Sequence, residues 1–204
     1  MRLSPLASGT ALLALATSLA AAAPARAAYT VTLAQEGSNV VATGSGTINT
    51  AGLSFIFGVN SGSSLWPLYG QILIGPVTSE DTGLYSGVSG PTSFGTGGIS
   101  ISANSGNGDL VGILGIEGLL SVPAGYVSGS ALMDTSTYDN QTFASLGVTP
   151  GSYVWTWGSG ATADSFTLDI AAVSTVPEPA SLTLFGTGLL GLGLVRRRRG
   201  GARD

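Results

Sequence analysis

Between residues 28 and 175, apolar side chains recur at every second position in short runs, and Gly, Ser, Asn and Pro separate the runs. This is the period of a strand with one buried face, and no stretch sustains the i, i+3, i+4, i+7 spacing of an amphipathic helix. Tyr29-Thr30-Val31-Thr32-Leu33 places Tyr29, Val31 and Leu33 on one face. Glu36-Gly37-Ser38-Asn39 reads as a turn, and the alternation resumes over 40–43. Leu53-Ser54-Phe55-Ile56-Phe57 aligns Leu53, Phe55 and Phe57, and further strands are expected within 71–77, 98–103 and 110–116. The clearest hairpin joins 152–157 to 165–170 through Gly158-Ser159-Gly160. The spacing predicts about nine to eleven short strands, hence an all-β, antiparallel β-sandwich-like domain. No repeat of fixed period is visible, which argues against a solenoid or propeller.

Two end segments break this pattern. Arg2, a weakly polar to apolar run over 11–23 and the small-x-small sequence Ala25-Arg26-Ala27 predict a secretory signal peptide over 1–27. Signal peptidase and the secretion machinery are then partners, and Ala28 becomes the first residue; the competing reading is an uncleaved anchor. At the other end, 176–204, Val176-Pro177-Glu178-Pro179 precedes an apolar run over 180–195 and the tail 196–204, which opens with Arg196, Arg197, Arg198 and Arg199. The prolines fix an extended entry to the run. As a helix the run rises roughly 24 Å, short of a ~30 Å hydrocarbon core by a margin that snorkelling arginines can cover. Four arginines hold their end in the cytoplasm. A transmembrane helix over 180–195 is therefore expected, lodged in the inner membrane with 28–175 outside the cytoplasm, the orientation the leader also requires.

Charge removes more functions than any motif adds. Only 9% of the 204 residues are charged, and none is His, Cys or Lys. All seven basic residues are arginines at the ends (Arg2, Arg26, Arg196 to Arg199, Arg203). Residues 28–175 hold nine carboxylates and no cation: Glu36, Glu80, Asp81, Asp109, Glu117, Asp134, Asp139, Asp164 and Asp169. Nucleic acid, which proteins grip by neutralising phosphates, is excluded as a partner of this region. Without His and Cys, zinc and copper lose their usual ligands, and the Ser-His-Asp and Cys-His arrangements lose a member. No cofactor is expected. Without disulfides the domain folds on apolar burial alone.

What remains is carboxylate chemistry, oxygen-ligand metals and aromatic surfaces. Tyr153, Trp155 and Trp157 share a strand face and either fill the core or form a platform for sugar rings. Trp66-Pro67-Leu68-Tyr69 lies in a loop-like context and makes Trp66 and Tyr69 a second glycan-contact candidate. Asn104, Asn107 and Asp109 gather oxygens around two glycines, either as a plain turn or as a Ca²⁺ site lacking EF-hand spacing. Glu80-Asp81 and the pair Asp164, Asp169 are the carboxylates to weigh for glycoside hydrolysis. Neighbours on a strand point to opposite faces, Asp164 and Asp169 also differ in face, and no cation orients them. Solvated surface acids, and hence a non-catalytic domain, are the expectation.

The C-terminal combination of Pro177-Glu178-Pro179, the Gly-rich span with Gly186, Gly188, Gly191 and Gly193, and the arginine cluster resembles the PEP-CTERM sorting signal of Gram-negative bacteria. The resemblance implies recognition by an exosortase-type membrane protease, removal of the tail near the motif, and display at the surface of a cell that builds exopolysaccharide. The stretches 41–47 and 147–168 are similar to those of small members of that group with no assigned activity. Together these readings give an exported surface or matrix protein, non-catalytic, with a neutral exopolysaccharide as the partner its acidity allows. The alternative is a lectin-like carbohydrate binder, with Ca²⁺ or without, or a carboxylate glycosidase.

Overall fold

The alternating run at the start of the domain becomes strand β1 (Ala28–Glu36), and β2 (Asn39–Thr47) folds back on it with Glu36 opposite Asn39. The two-residue loop this leaves is Gly37-Ser38, and Gly37 takes φ 62°, a left-handed conformation that glycine adopts without steric cost. Tyr29, Val31 and Leu33 of β1 and Val40 and Ala42 of β2 are buried, as the period demands. The computed structural model describes residues 28–171.

The remaining strands are β3 (Ser54–Ser61), β4 (Ser64–Trp66), β5 (Gln71–Ile74), β6 (Glu80–Ser86), β7 (Ile101–Ser102), β8 (Ser105–Gly108), β9 (Val111–Leu114), β10 (Leu119–Pro123), β11 (Ala131–Tyr138), β12 (Gly151–Trp157) and β13 (Asp164–Ile170). They form a six-stranded sheet, β12-β13-β1-β2-β11-β8, and a seven-stranded sheet, β3-β6-β10-β9-β5-β4-β7. A single four-residue α-helix, α1 (Phe143–Leu146), stands among the described residues.

One pairing departs from the expected antiparallel plan. β13 inserts between β12 and β1, and it runs parallel to β1, with Ala28 opposite Ser165 and Leu33 opposite Ile170. The hairpin with β12 fixes the direction of β13, while β2 already occupies the other edge of β1. A parallel pair requires a long connection, here the whole domain between first and last strands.

The inward faces meet in one apolar core. Trp155 and Phe166 pack edge to face with ring centroids 5.9 Å apart, and Tyr29 lies 5.4 Å from Phe166. Ile72, Ile74, Val111, Ile113, Leu120 and Val122 close the core from the seven-stranded sheet. Each such side chain contributes about 1.5–3 kcal/mol when fully buried, and no disulfide adds to that.

The run Leu53 to Phe57 differs from its expected role. β3 is the outermost strand of its sheet, and its register on β6 shifts between Phe55 and Phe57, which breaks the alternation at Ile56. Phe55, Ile56 and Phe57 are 60%, 44% and 51% exposed instead of buried. The hairpin connection after β12 is also longer than a three-residue turn, because a 3₁₀ turn over Gly160–Thr162 follows Gly158-Ser159. The cleavage positions Ala25 and Ala27, the motif Val176, Pro177, Glu178 and Pro179, the run 180–195 and the arginines Arg196 to Arg199 lie outside the described residues; Ala28 lies inside, in β1.

Candidate functional site

Trp155 and Trp157 belong to the core. Period 2 turns both inward from β12, where the Trp155 Nε1–H donates to the Pro91 carbonyl at 2.8 Å and the Trp157 Nε1–H donates to the Asn49 carbonyl at 2.8 Å. Gly90 lies so close to Trp155 that a Cβ there would stand 2.5 Å from the indole Cδ1. Neither ring has a free face for a sugar. Tyr153 sits at the end of the same row, half-buried, with its ring 5.9 Å from Phe94 and its hydroxyl donating to the Thr149 carbonyl at 3.0 Å. Of the two readings of the β12 aromatics, Trp155 and Trp157 take the core one, with Gly90, Pro91 and Asn49 of neighbouring loops against them.

Trp66 and Tyr69 are placed differently. Trp66 ends β4 near the rim of the seven-stranded sheet, and a 3₁₀ turn over Pro67–Tyr69 brings the Tyr69 ring to 4.2 Å from the indole, tilted by 52°. Pro67 at the first position and Gly70 at the end, with φ 60°, hold the turn. A side chain at Gly70 would also run into the backbone of Thr92. Leu68 and Tyr69 are 47% and 36% exposed, and the exposed Ile116 donates its N–H to the Tyr69 carbonyl at 3.2 Å. The result is a surface patch of aromatic and aliphatic groups with no charged member.

Within the segment from Asn104 to Asp109, Ser105–Gly108 forms the edge strand β8 and not a turn. β8 pairs with β11, Asn107 opposite Thr135. The Asn104 Oδ1 accepts the Asp139 N–H at 2.8 Å, and the Asp109 Oδ2 accepts the Met133 N–H at 3.0 Å. These oxygens tie the strand to its neighbour. Among the described residues no three His, Cys, Asp or Glu side chains are grouped to hold a metal ion.

The carboxylates divide into two sets. Glu80 and Asp81 are exposed at the start of β6, and with Asp109, Pro76, Leu110 and Pro123 they line an open groove of about 530 Å³. Asp134 and Asp164 correct the expectation of surface acids, because both are buried. The Asp164 carboxylate accepts the Asn49 and Ser165 N–H groups, each at 2.6 Å. Burial raises its pKa, and those two backbone donors oppose the rise.

Asp134 is the group the sequence reading passed over. In β11 it shares the inward face with Leu132, Ser136 and Tyr138. The Tyr29 hydroxyl donates to its Oδ2, and its Oδ1 has no hydrogen-bond partner among the described residues. The carboxyl is 1% exposed, and burial pushes its pKa up to about 7. The Tyr29 hydrogen bond opposes that rise, while the nearby Asp109 charge adds to it. Burial and the Asp134 charge raise the Tyr29 phenol in turn, which keeps it neutral. The alternation Leu132-x-Asp134-x-Ser136-x-Tyr138 was the available signal.

Among known families, residues 175–199 match the PEP-CTERM protein-sorting motif. No curated protein and no solved structure matches the chain.

Proposed function

We propose that this chain, which carries a PEP-CTERM protein-sorting motif, is a non-catalytic surface protein whose sandwich domain associates with neutral exopolysaccharide through the rim at Trp66 and Tyr69. The motif makes the protein an exported one, sorted by an exosortase-type membrane protease, with its C-terminal region anchored in the membrane until sorting. On this reading the chain is organised as a leader over 1–27, the β domain over 28–175, and the sorting segment over 176–204.

The observation that carries the polysaccharide reading is a rim patch in which exposed Tyr69 packs on half-buried Trp66, in a domain that has carboxylates and no cation. Such a surface repels anionic polymers, while aromatic and aliphatic groups stack on uncharged sugar rings without ion pairing. The buried Asp134 and Asp164 serve the fold, and Glu80, Asp81 and Asp109 face an open groove without a basic partner to orient a substrate.

Affinity electrophoresis through gels containing neutral polysaccharides tests this reading. At about 1 kcal/mol for a lost aromatic contact, Trp66→Ala and Tyr69→Ala each weaken retardation roughly fivefold. Val154→Ala on the outer face of β12 leaves it unchanged, and so does removal of Ca²⁺. Equal retardation of all variants, or no retardation by any neutral polymer, defeats the reading.

A further inference from the structure

The two sheets have four edge strands, and three of them are short or covered. β7 has two residues and β8 four. β12 exchanges backbone hydrogen bonds on its outer side with Ser89, at 2.8 and 2.9 Å. β3 is the exception. It is eight residues long, pairs with β6 on one side, and leaves the other side open among the described residues. Natural edges are usually blunted by charge, proline or shortness, because their free N–H and C=O groups accept another strand. Ser54-Phe55-Ile56-Phe57-Gly58-Val59-Asn60-Ser61 has no charge and no proline. Its only blunting device is the bulge at Ile56, which leaves Phe57 to Ser61 in regular register.

We propose that the free edge of β3 is a self-association surface, on which β3 of a second copy of this chain pairs in antiparallel sense. An antiparallel pair of identical strands is related by a twofold axis, so one edge supplies both halves of the joint. Charge at the joint does not oppose this occupant. Glu80 and Asp81 stand on β6, one strand in from the edge. Across a β3–β3 joint the two β6 strands are three strand spacings apart, roughly 14 Å, which exceeds the ~8 Å screening length at physiological salt. Two acidic, cation-free domains therefore meet along this edge without their carboxylates opposing each other. The edge itself offers no charge to select a basic or an acidic partner.

The area sets the strength. Phe55, Ile56 and Phe57 are about half exposed, so they contribute roughly 100 Å² each. With the backbone this stays below the ~800 Å² per partner of a standard interface. Pairing is thus weak in dilute solution and becomes populated where copies are crowded, as on a surface.

The chain has no cysteine, so one introduced thiol is unique. Full-length chains carrying single substitutions to Cys along 54–61 are exported and oxidised in place. Disulfide-linked homodimer is expected to peak at one position within 57–61, nearest the twofold axis, and to fall away on both sides. Val127→Cys and Met133→Cys, 69% and 70% exposed elsewhere, should yield several-fold less. Adding Phe57→Lys, or Asn60→Lys as an independent edge charge, should abolish the peak. Yields equal to the controls, insensitivity to both lysines, or products that contain a different protein overturn the proposal.

Discussion

Replacing Asp134 by Asn removes a buried ionisable group while keeping an oxygen for the Tyr29 hydroxyl. Asp134 titrates at about 7 in the folded chain and at 3.8 as an ordinary carboxyl. Below pH 3.8 both states are protonated and the site takes nothing from stability. Between pH 3.8 and about 7 the unfolded chain ionises while the folded chain keeps its proton, so stability falls as pH rises. Above that window both states are charged and the loss is complete. A difference of about 3 pKa units at 1.36 kcal/mol each gives about 4 kcal/mol. The Asp134→Asn variant has no such dependence, although its unpartnered amide carries a pH-independent cost of about 1–3 kcal/mol. The groups acting on Asp134 are Tyr29, which stays neutral, and Asp109, which is common to both proteins. Urea unfolding of wild type and Asp134→Asn between pH 3.5 and pH 8.5 isolates the term by difference. The gap should shift by about 4 kcal/mol in favour of the variant as pH rises, equivalent to roughly 10–15 °C in Tm. Parallel stability curves would refute a buried, proton-retaining Asp134.

Gly44 lies against the same pair, and a Cβ there would strike the Tyr29 hydroxyl, the Asp134 Oδ1 and the Ile74 Cδ1. Gly44→Ala should therefore destabilise by about 1–3 kcal/mol or more in thermal unfolding, whereas Gly37→Asn at the exposed hairpin loop should cost much less. Trp155→Phe removes the 2.8 Å donation to the Pro91 carbonyl and part of the ring, for a loss of about 2 kcal/mol. Its near-ultraviolet dichroism should change, while polysaccharide retardation stays at the wild-type value.

The hairpins β1–β2 and β12–β13 were legible because each alternates cleanly and ends in glycine-bearing turns. β11 alternates as well, but Asp134 and Ser136 on its buried face disguise it, since a carboxylate inside a core contradicts the polar-out rule until Tyr29 is seen to meet it. β3 misleads in the opposite sense. Its apolar pattern is that of a covered strand, and only its place at the end of the sheet leaves it exposed. The parallel β1–β13 pair joins segments more than 130 positions apart, and local period carries no record of such pairing. Of the candidate residues, Tyr69 kept a surface position because the Pro67–Tyr69 turn carries it to the rim, while Trp66 beneath it is half-buried. Trp155 and Trp157 face inward, beneath Gly90, Pro91 and Asn49. The sorting motif was legible for a simpler reason, because it is read as linear chemistry and needs no fold.

The intact mass of the protein recovered from outside the cells of its native host tests the account most directly. A chain that begins at Ala28 and ends close to Pro177-Glu178-Pro179 is the predicted result, with both terminal segments removed and the sandwich domain as the whole mature protein. A mass that still includes residues 180–204, or one that retains the first 27, would contradict sorting by the C-terminal motif or cleavage of the leader.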